Sequence, residues 1–391
     1  MAPLRILTAG ESHGKALAGI LEGMPSGLKL DREKIENQMK RRQSGPGRGG
    51  RMQIETDRVE FLSGLRFGVT LGTPIAVLIQ NRDWENWSSR MDVWNGSEEN
   101  PVRVPRPGHA DMAGAVKYGF SDMRNVLERA SARETAVRVA LGSVIRQLLE
   151  SFGIWIGSHV IRIHAVAVET TFRDLFDSAR KDAEISILKM AALSEASELR
   201  CAETRAEGLM KEEIRFAAEA GDTVGGVFEV VAMNVPAGLG SHVTWDRRLD
   251  ARIAADFMGI PAIKSVEIGL GSECAGRLGS ETHDPFLPGS ARPLRPTNRA
   301  GGIEGGISNG EPILVRAAMK PIPTLKKPLP SVNLSTGEPV DAHHERSDVC
   351  AVPSACVVGE AMLAISLGAA FMERFGGDTM DHIRSRFDGS R

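Results

Sequence analysis

The amino-acid sequence predicts an α+β protein, a single domain over residues 1–391 with predominantly antiparallel sheets. Three observations lead there. Strand-like and helix-like segments follow one another without the regular alternation of a doubly wound parallel sheet. No Gly/Ser-rich or Pro-rich linker divides the chain into independent units. Glycine-rich stretches at 45–50, 105–108, 235–240 and 301–310 lie between apolar segments, so a site built from them is assembled from distant parts of the chain.

Taken in order, Leu4 to Thr8 and Ala16 to Leu21 read as short strands. Asp31 to Arg42 reads as a helix, with Asp31 as N-cap and Ile35 and Met39 at i, i+4. Val59 to Leu62 and Ile75 to Ile79 read as strands, the second a continuous apolar run expected to be buried on both faces. Ser131 opens the clearest helix: Ser131 and Glu134 fit a capping box, and Ala132, Ala136, Val139, Ala140, Ser143 and Val144 form a small-residue face for close packing. Residues 169–220 read as helical and charged, with no nameable chemistry. Phe228 to Met233 and Ile313 to Met319 are strand-like. Pro353 starts a last long helix that Gly376 and Gly377 end.

With 391 residues, 42% hydrophobic and 25% charged, the chain can bury a substantial core. A net charge of -2 gives no global field for nucleic acid or an anionic membrane, so anion binding must come from local clusters. Cys201, Cys274, Cys350 and Cys356 show no zinc or CxxC spacing and suit reduced thiols in the cytoplasm. The N-terminus lacks the long apolar region of a signal peptide, and Ala361 to Met372 is shorter than the ~20 residues of a membrane span. No HExxH, no i, i+4 histidine pair and no Walker A loop occurs, so no metal is expected.

Seven segments carry candidate chemistry. His13, in Gly10-Glu11-Ser12-His13-Gly14 after the first strand, can move a proton near neutrality; the plain alternative is a turn histidine. Lys40, Arg41, Arg42, Arg48 and Arg51 surround a glycine loop suited to clamping a polyanion. Its Gly45, Gly47, Gly50 spacing matches GxGxxG only weakly, because a basic helix and not an apolar strand precedes it. A solvated or nucleic-acid-binding face is the alternative, and the lack of interleaved aromatics argues against nucleic acid. Two prolines stiffen the loop that carries His109, from Arg103 to Asp111. Arg129 and Arg133 flank Ser131 at a helix start, where a phosphate could sit; capping alone explains Ser131 but not both arginines. Paired glycines around Ile303 and Glu304 suggest backbone lying flat on a planar ligand, or simply two tight turns. Lys320 to Thr324 is a stiff extended segment. Asp348 lies near Arg346, which favours its ionised form, and an ion pair is the alternative there.

In this order the segments resemble the chorismate synthase family: GESHGKALAGILEGMP at 10–25, RRQSGPGRG at 41–49, RPGHAD at 106–111, ERASARETAVRVA at 128–140, AGGIEGGISNG at 300–310, KPIPT at 320–324 and RSDVCAVPSACVVGEAM at 346–362. The resemblance implies a helix layer sandwiched between two antiparallel sheets, usually in a homotetramer. It implies anti-1,4-elimination of phosphate from 5-enolpyruvylshikimate 3-phosphate to give chorismate, the last shikimate-pathway step towards aromatic amino acids, with reduced FMN and no net redox change.

By motif, Ser12, Arg42, Arg48, Arg133 and Arg346 would hold substrate. Arg129, Ala130, Ser131, Ala262, Gly305, Lys320, Pro321, Ile322, Pro323, Thr324 and Arg346 would line FMN. His13 would protonate the departing phosphate, His109 would hydrogen-bond or protonate the reduced flavin, and Asp348 would work with flavin N5 to remove the C6 proton. Asp348 follows Ser347 where many members have histidine, and Pro261 precedes Ala262 where some have Asn-Ala; neither removes a proton carrier. The chain resembles monofunctional members that receive reduced FMN from an external flavin reductase or other supply. Rival readings are an NADPH-linked flavin oxidoreductase and a non-catalytic phosphate-metabolite binder. A partly exposed Arg42/Arg48 clamp would bind substrate more weakly at higher salt.

Overall fold

The computed structural model describes residues 4–47, 57–95, 100–178, 182–289, 293–343, 345 and 347–390. Two antiparallel sheets enclose a layer of helices. In the first sheet, β1 (Arg5–Ala9), β2 (Ala16–Glu22), β3 (Glu60–Phe61) and β4 (Ile75–Gln80) lie in the order β1-β2-β4-β3. In the second, β5 (Trp155–Ile163), β6 (Val166–Ala167), β7 (Gly226–Met233), β8 (Ile263–Ile268) and β9 (Ile313–Met319) lie in the order β8-β9-β7-β5-β6. Every pairing within both sheets is antiparallel.

Between them run α1 (Arg32–Gln43), α3 (Thr135–Glu150), α4 (Leu249–Met258) and α5 (Val352–Phe375); α2 (Trp84–Met91) lies after β4. Helix α3 packs on β2 and β4, α5 packs on β5 and β7, and the two helices pack on each other. Leu17, Leu21, Ile75, Val77 and Ile79 from the first sheet share one apolar core with Ala136, Val137 and Ala140 of α3. Each fully buried aliphatic side chain contributes about 1.5–3 kcal/mol, so this layer dominates stability. Close approach requires small residues. A Cβ on Gly142 would lie 2.8 Å from the Ala361 Cβ and 3.0 Å from its carbonyl oxygen.

Two segments far apart in sequence are interlocked. Ser26 bridges Thr379, and its N–H donates to the Asp378 carbonyl at 2.9 Å. Phe387, in the helix Met380–Asp388, packs on Phe152, Phe371 and Phe375.

Several expectations need correction. Strand β4 buries Ile75, Val77 and Ile79 on one face, while Ala76 and Leu78 are only half-buried, because it belongs to an outer sheet covered on one side. The Ser131–Glu134 capping box does not form. Ser131 accepts from the Arg133 N–H at 3.3 Å and caps a short 3₁₀ turn, while Glu134 turns to Arg138 at 2.6 Å. Ala132 of the small-residue face is exposed, whereas Ala136 to Val144 are buried as expected. Ala361 to Met372 is part of a 24-residue helix, long and apolar enough to cross a membrane by length and composition alone. That helix is buried against α3 and the second sheet. Residues 169–220 do form helices; two of them, Phe172–Ser178 and Ala183–Ala196, bring Phe172, Phe176 and Ile187 onto Val231 and Met233, on the outer side of β7.

Candidate active site

The loop after β1 carries Ser12 and His13. Ser12 is buried, and its N–H donates to the Glu128 carbonyl at 2.9 Å. The His13 N–H donates to Glu128 Oε2 at 2.9 Å, and His13 Nδ1 lies 3.0 and 2.9 Å from Glu128 Oε1 and Oε2. The Trp87 ring of α2 stacks on the imidazole at 3.9 Å. Asn81, just after β4, donates to the Gly14 and Glu11 carbonyls at 2.7 and 3.2 Å and so holds the loop from below.

Asn81 also accepts from Arg133 Nε at 3.0 Å. Arg133 and Arg42 both bond Asp57, one to each carboxylate oxygen, and all three residues are buried. Burial pushes the Asp57 carboxyl upward, but the two guanidinium groups outweigh it and hold it below the usual range. Arg42 and Arg133 thus meet over one internal anion beside the His13 loop. For Arg42 this corrects the picture of a partly exposed side chain, because the end of α1 turns it inward towards Thr135 and Asp57. Arg48 and Arg346 lie outside the described residues.

On the opposite face of the α1 terminus, Arg41 donates to Glu360 at 2.8 and 2.9 Å. Arg146 and Arg200 reach the same fully buried carboxylate at 2.6 and 3.1 Å, and Ser158 also donates to it. Glu195 takes second bonds from Arg41 and Arg200 at 2.7 and 2.9 Å. Helix α1, and with it Arg42, is thereby pinned to α5.

His109 occupies a second, similar setting. Its Nδ1 bonds the buried carboxylate of Asp111, which also takes Arg106 Nε at 2.8 Å. Burial raises Asp111, and the bonds from His109 and Arg106 more than reverse that, so it stays ionised. Arg106 Nη1 donates to Thr324 Oγ1 at 3.0 Å, Lys320 Nζ to the Gly108 carbonyl at 2.5 Å, and the Lys320 N–H to the Ala262 carbonyl at 3.0 Å. The His109 loop, Lys320 to Thr324 and Ala262 are therefore one assembly. Thr223 Oγ1 ties it to the Ile322 carbonyl at 2.7 Å, while the next residue, Val224, donates to the Val349 carbonyl at 3.0 Å beside Asp348. Val349 in turn donates to the Gly47 carbonyl at 2.7 Å, on the arginine loop.

Arg124 and Glu345 join the two halves. Arg124 bonds Glu128 at 3.2 Å and Glu345 at 3.6 Å. Burial pushes Glu345 up, but His343, Arg106 and Arg124 together hold it down at about 2.

Arg129 and Gly305 are two further expected positions. Arg129 donates to the Gly10 and Thr8 carbonyls at 3.1 and 3.0 Å and to Thr8 Oγ1 at 2.7 Å, so its Nη nitrogens brace the end of β1. Arg129, Ala130 and Ser131 present half-buried surface beside the His13 loop. Gly305 sits at the tip of the Ile303–Ser308 hairpin with φ +59° and open space where a Cβ would be. The hairpin's hydrogen bonds run to Pro236, Leu239 and Leu249. A hollow of about 350 Å³ lined by Arg162, Arg173 and Arg316 lies on the outer face of the second sheet and includes none of the expected site residues.

Sequence reasoning missed Asp57, Asn81, Trp87 and Arg124, and gave no role to Glu128 and Asp111. The last two lie inside the motifs that carry Ser131 and His109, where a carboxylate next to a proton carrier was the available signal. Asp57 and Asn81 stand outside any motif. Among the described residues no group of three or more His, Cys, Asp or Glu is placed to hold a metal ion.

A family model described as "Chorismate synthase" matches residues 4–372. The chain is 53% identical to the chorismate synthase of Aquifex aeolicus over 388 residues, covering 98% of this chain and 96% of that one. It is 51% identical to that of Geobacter metallireducens over 396 residues, covering 99% and 98%. A solved structure titled "Crystal Structure of Chorismate Synthase" superposes with a TM-score of 0.79 at 44% identity, covering 100% of this chain and 98% of that one.

Proposed function

The chain belongs to the chorismate synthase family, an FMN-dependent lyase that eliminates phosphate from 5-enolpyruvylshikimate 3-phosphate to give chorismate, and we propose that the residues described above divide that work. The observation that supports the division is the linkage of the His13 loop, the Arg42–Arg133 pair and the His109–Lys320 assembly into one connected region.

Arg42, Arg133 and Ser12, with Arg48 and Arg346, hold the phosphate and carboxylates of the substrate. Asp57 holds the first two arginines side by side on its two oxygens until the substrate's own anions arrive. His13 Nε2 gives a proton to the departing phosphate as the C–O bond breaks. Asp348 takes the C6 proton, and the electron pair of that C–H bond becomes part of the new diene.

The Lys320 to Thr324 segment, the backbone of Arg129, Ala130 and Ser131, Ala262 and Gly305 line FMN, with Arg346 beside them. The residues fit such a group: a lysine, a stiff proline-flanked backbone and a glycine tip with no side chain to obstruct a flat ring. Reduced flavin held by these residues would supply electron density to the reacting system without net oxidation. His109, held by Asp111 and Arg106, would hydrogen-bond or protonate the reduced flavin.

We further propose that the chain acts as a single domain and a homotetramer. Leu7, Ile20 and Leu62 lie exposed on the uncovered side of the first sheet, which supports a buried contact there; light scattering of the purified protein reads the assembly directly. Electrons come from a separate flavin reductase or reduced-flavin supply. The four cysteines, all free, suit the cytoplasm, and cell fractionation tests that location.

The central test supplies dithionite-reduced FMN without oxygen and counts phosphate released per flavin. Many turnovers with the flavin still reduced support the reading; one turnover per flavin overturns it.

A further inference from the structure

His13 is gripped on two sides. On its edge stands Glu128, whose carboxylate accepts the His13 backbone N–H at 2.9 Å and faces Nδ1 with both oxygens at 3.0 and 2.9 Å. On its face stands Trp87, stacked at 3.9 Å with 24° between the rings. Each partner is itself fixed. Arg124 bonds Glu128 at 3.2 Å and lies over the Trp87 ring at 5.1 Å, and Trp87 Nε1 donates to Asp83 at 3.1 Å. The Glu128 side chain has 0% exposure while His13 keeps 13%, so the grip lies on the protein side and the opening on the other. Nδ1 is taken, and among the described residues Nε2 has no partner.

We propose that Glu128 is a positioning residue for the elimination, holding a proton on His13 Nδ1 and aiming Nε2 at the departing phosphate. This deepens the assignment of His13 given above and rests on it. In the step, the Nε2–H bond breaks and an O–H bond forms on the leaving phosphate. The electron pair stays on Nε2, and the Nδ1–H remains bonded to Glu128. Because the carboxylate accepts from Nδ1 before and after transfer, the ring need not turn, and no group reorganises as the proton moves. Without that acceptor, the neutral ring could carry its proton on either nitrogen and rotate against Trp87. The Ser12 N–H bond to the Glu128 backbone carbonyl does not depend on the side chain, so truncation there leaves the loop tethered.

The test compares wild type with Glu128→Ala, Glu128→Gln, Glu128→Asp and His13→Ala, each as full chain with reduced FMN under anaerobic conditions. Orienting partners of this kind are worth roughly 10- to 100-fold in rate. Glu128→Ala should lower kcat by ~10-fold or more with KM within ~3-fold. Glu128→Gln, with one acceptor oxygen in place of two, should lie between, and Glu128→Asp should recover part of the loss. Nitrogen-15 spectra of histidine-labelled protein should show Nδ1 of His13 protonated in both the cationic donor ring and the neutral ring of wild type, and the neutral ring as a mixture of tautomers in Glu128→Ala.

If Glu128→Ala keeps kcat within ~2-fold, or loses kcat, KM and FMN binding together without rescue by aspartate, the positioning role is overturned. If Glu128→Ala does not fold, the Gln and Asp variants decide on the same criteria. Full turnover in His13→Ala would remove the underlying assignment instead; loss there with an indifferent Glu128 would remove this inference alone.

Discussion

Replacing Glu360 with glutamine keeps the shape of a buried side chain and removes the charge on which Arg41, Arg146 and Arg200 converge. Breaking a buried ion pair costs about 3–5 kcal/mol. Here each arginine keeps a second carboxylate, Glu195 for Arg41 and Arg200 and Glu150 for Arg146. Glutamine also keeps one acceptor, so the expected loss is at the low end, about 3 kcal/mol at pH 7. At roughly 2 °C per kcal/mol for a chain of this size, the melting temperature should fall by about 6 °C.

The pH dependence makes the test sharper. Burial pushes Glu360 upward, but the three arginines outweigh it and hold the folded carboxyl below its ordinary range. A carboxylate depressed in the folded state stabilises above its unfolded value of ~4.3, and that contribution is lost as pH falls towards the folded value. The gap between wild type and variant should therefore be full above pH ~5 and shrink by about 1.4 kcal/mol per pH unit below ~4.3. Asp57, Asp111, Glu229 and Glu345 are depressed as well, but both proteins carry them and they cancel in the difference. Urea unfolding of the two proteins at pH 7 and at pH 3.5 measures the gap directly. An unchanged midpoint at pH 7, or a gap of the same size at both pH values, would refute the reasoning.

His109→Ala should lower turnover by ~10²-fold or more while the protein still binds substrate in equilibrium dialysis; full activity would remove its role. Substrate affinity should weaken with ionic strength, but only by a few-fold between about 50 and 500 mM salt, because Arg42 and Arg133 are buried and poorly screened; a ~100-fold loss would put the clamp in solvent. Gly142→Val should destabilise the protein by about 1–3 kcal/mol in urea unfolding, since a side chain there meets Ala361 of α5; an unchanged midpoint would mean that the helices can move apart at no cost.

The fold was legible where periodicity is strong. The Asp31 cap, with its side chain on the Glu33 and Lys34 N–H groups, and strand Ile313–Met319 lie where the pattern placed them. The helix layer between two sheets followed from family resemblance, because no local signal says that α3 faces one sheet and α5 the other. Strand β5 and helix α4 went unread, the first a run broken by Gly157, Ser158 and His159, the second an ordinary amphipathic turn sequence. Within the site, the histidines and arginines stand out by residue type. Their carboxylate partners do not: Asp57 finds Arg133 across 76 residues, and Glu128 finds His13 across 115. Such pairings are decided by tertiary packing, which a linear pattern does not contain.

The tie between Ser26 and residues 378–379 bears on how the protein is made. On the ribosome, Ser26 emerges 352 residues before Asp378, whose carbonyl accepts its hydrogen bonds, and α5 also emerges long after the first sheet. The contact between Ser26 and Asp378 therefore spans 352 residues of sequence, although the first sheet can already pack on α3. Such long sequence separations slow folding and lengthen exposure to aggregation. Loss of the helix Met380–Asp388, whose Phe387 packs on Phe152, Phe371 and Phe375, should therefore harm assembly as well as local packing.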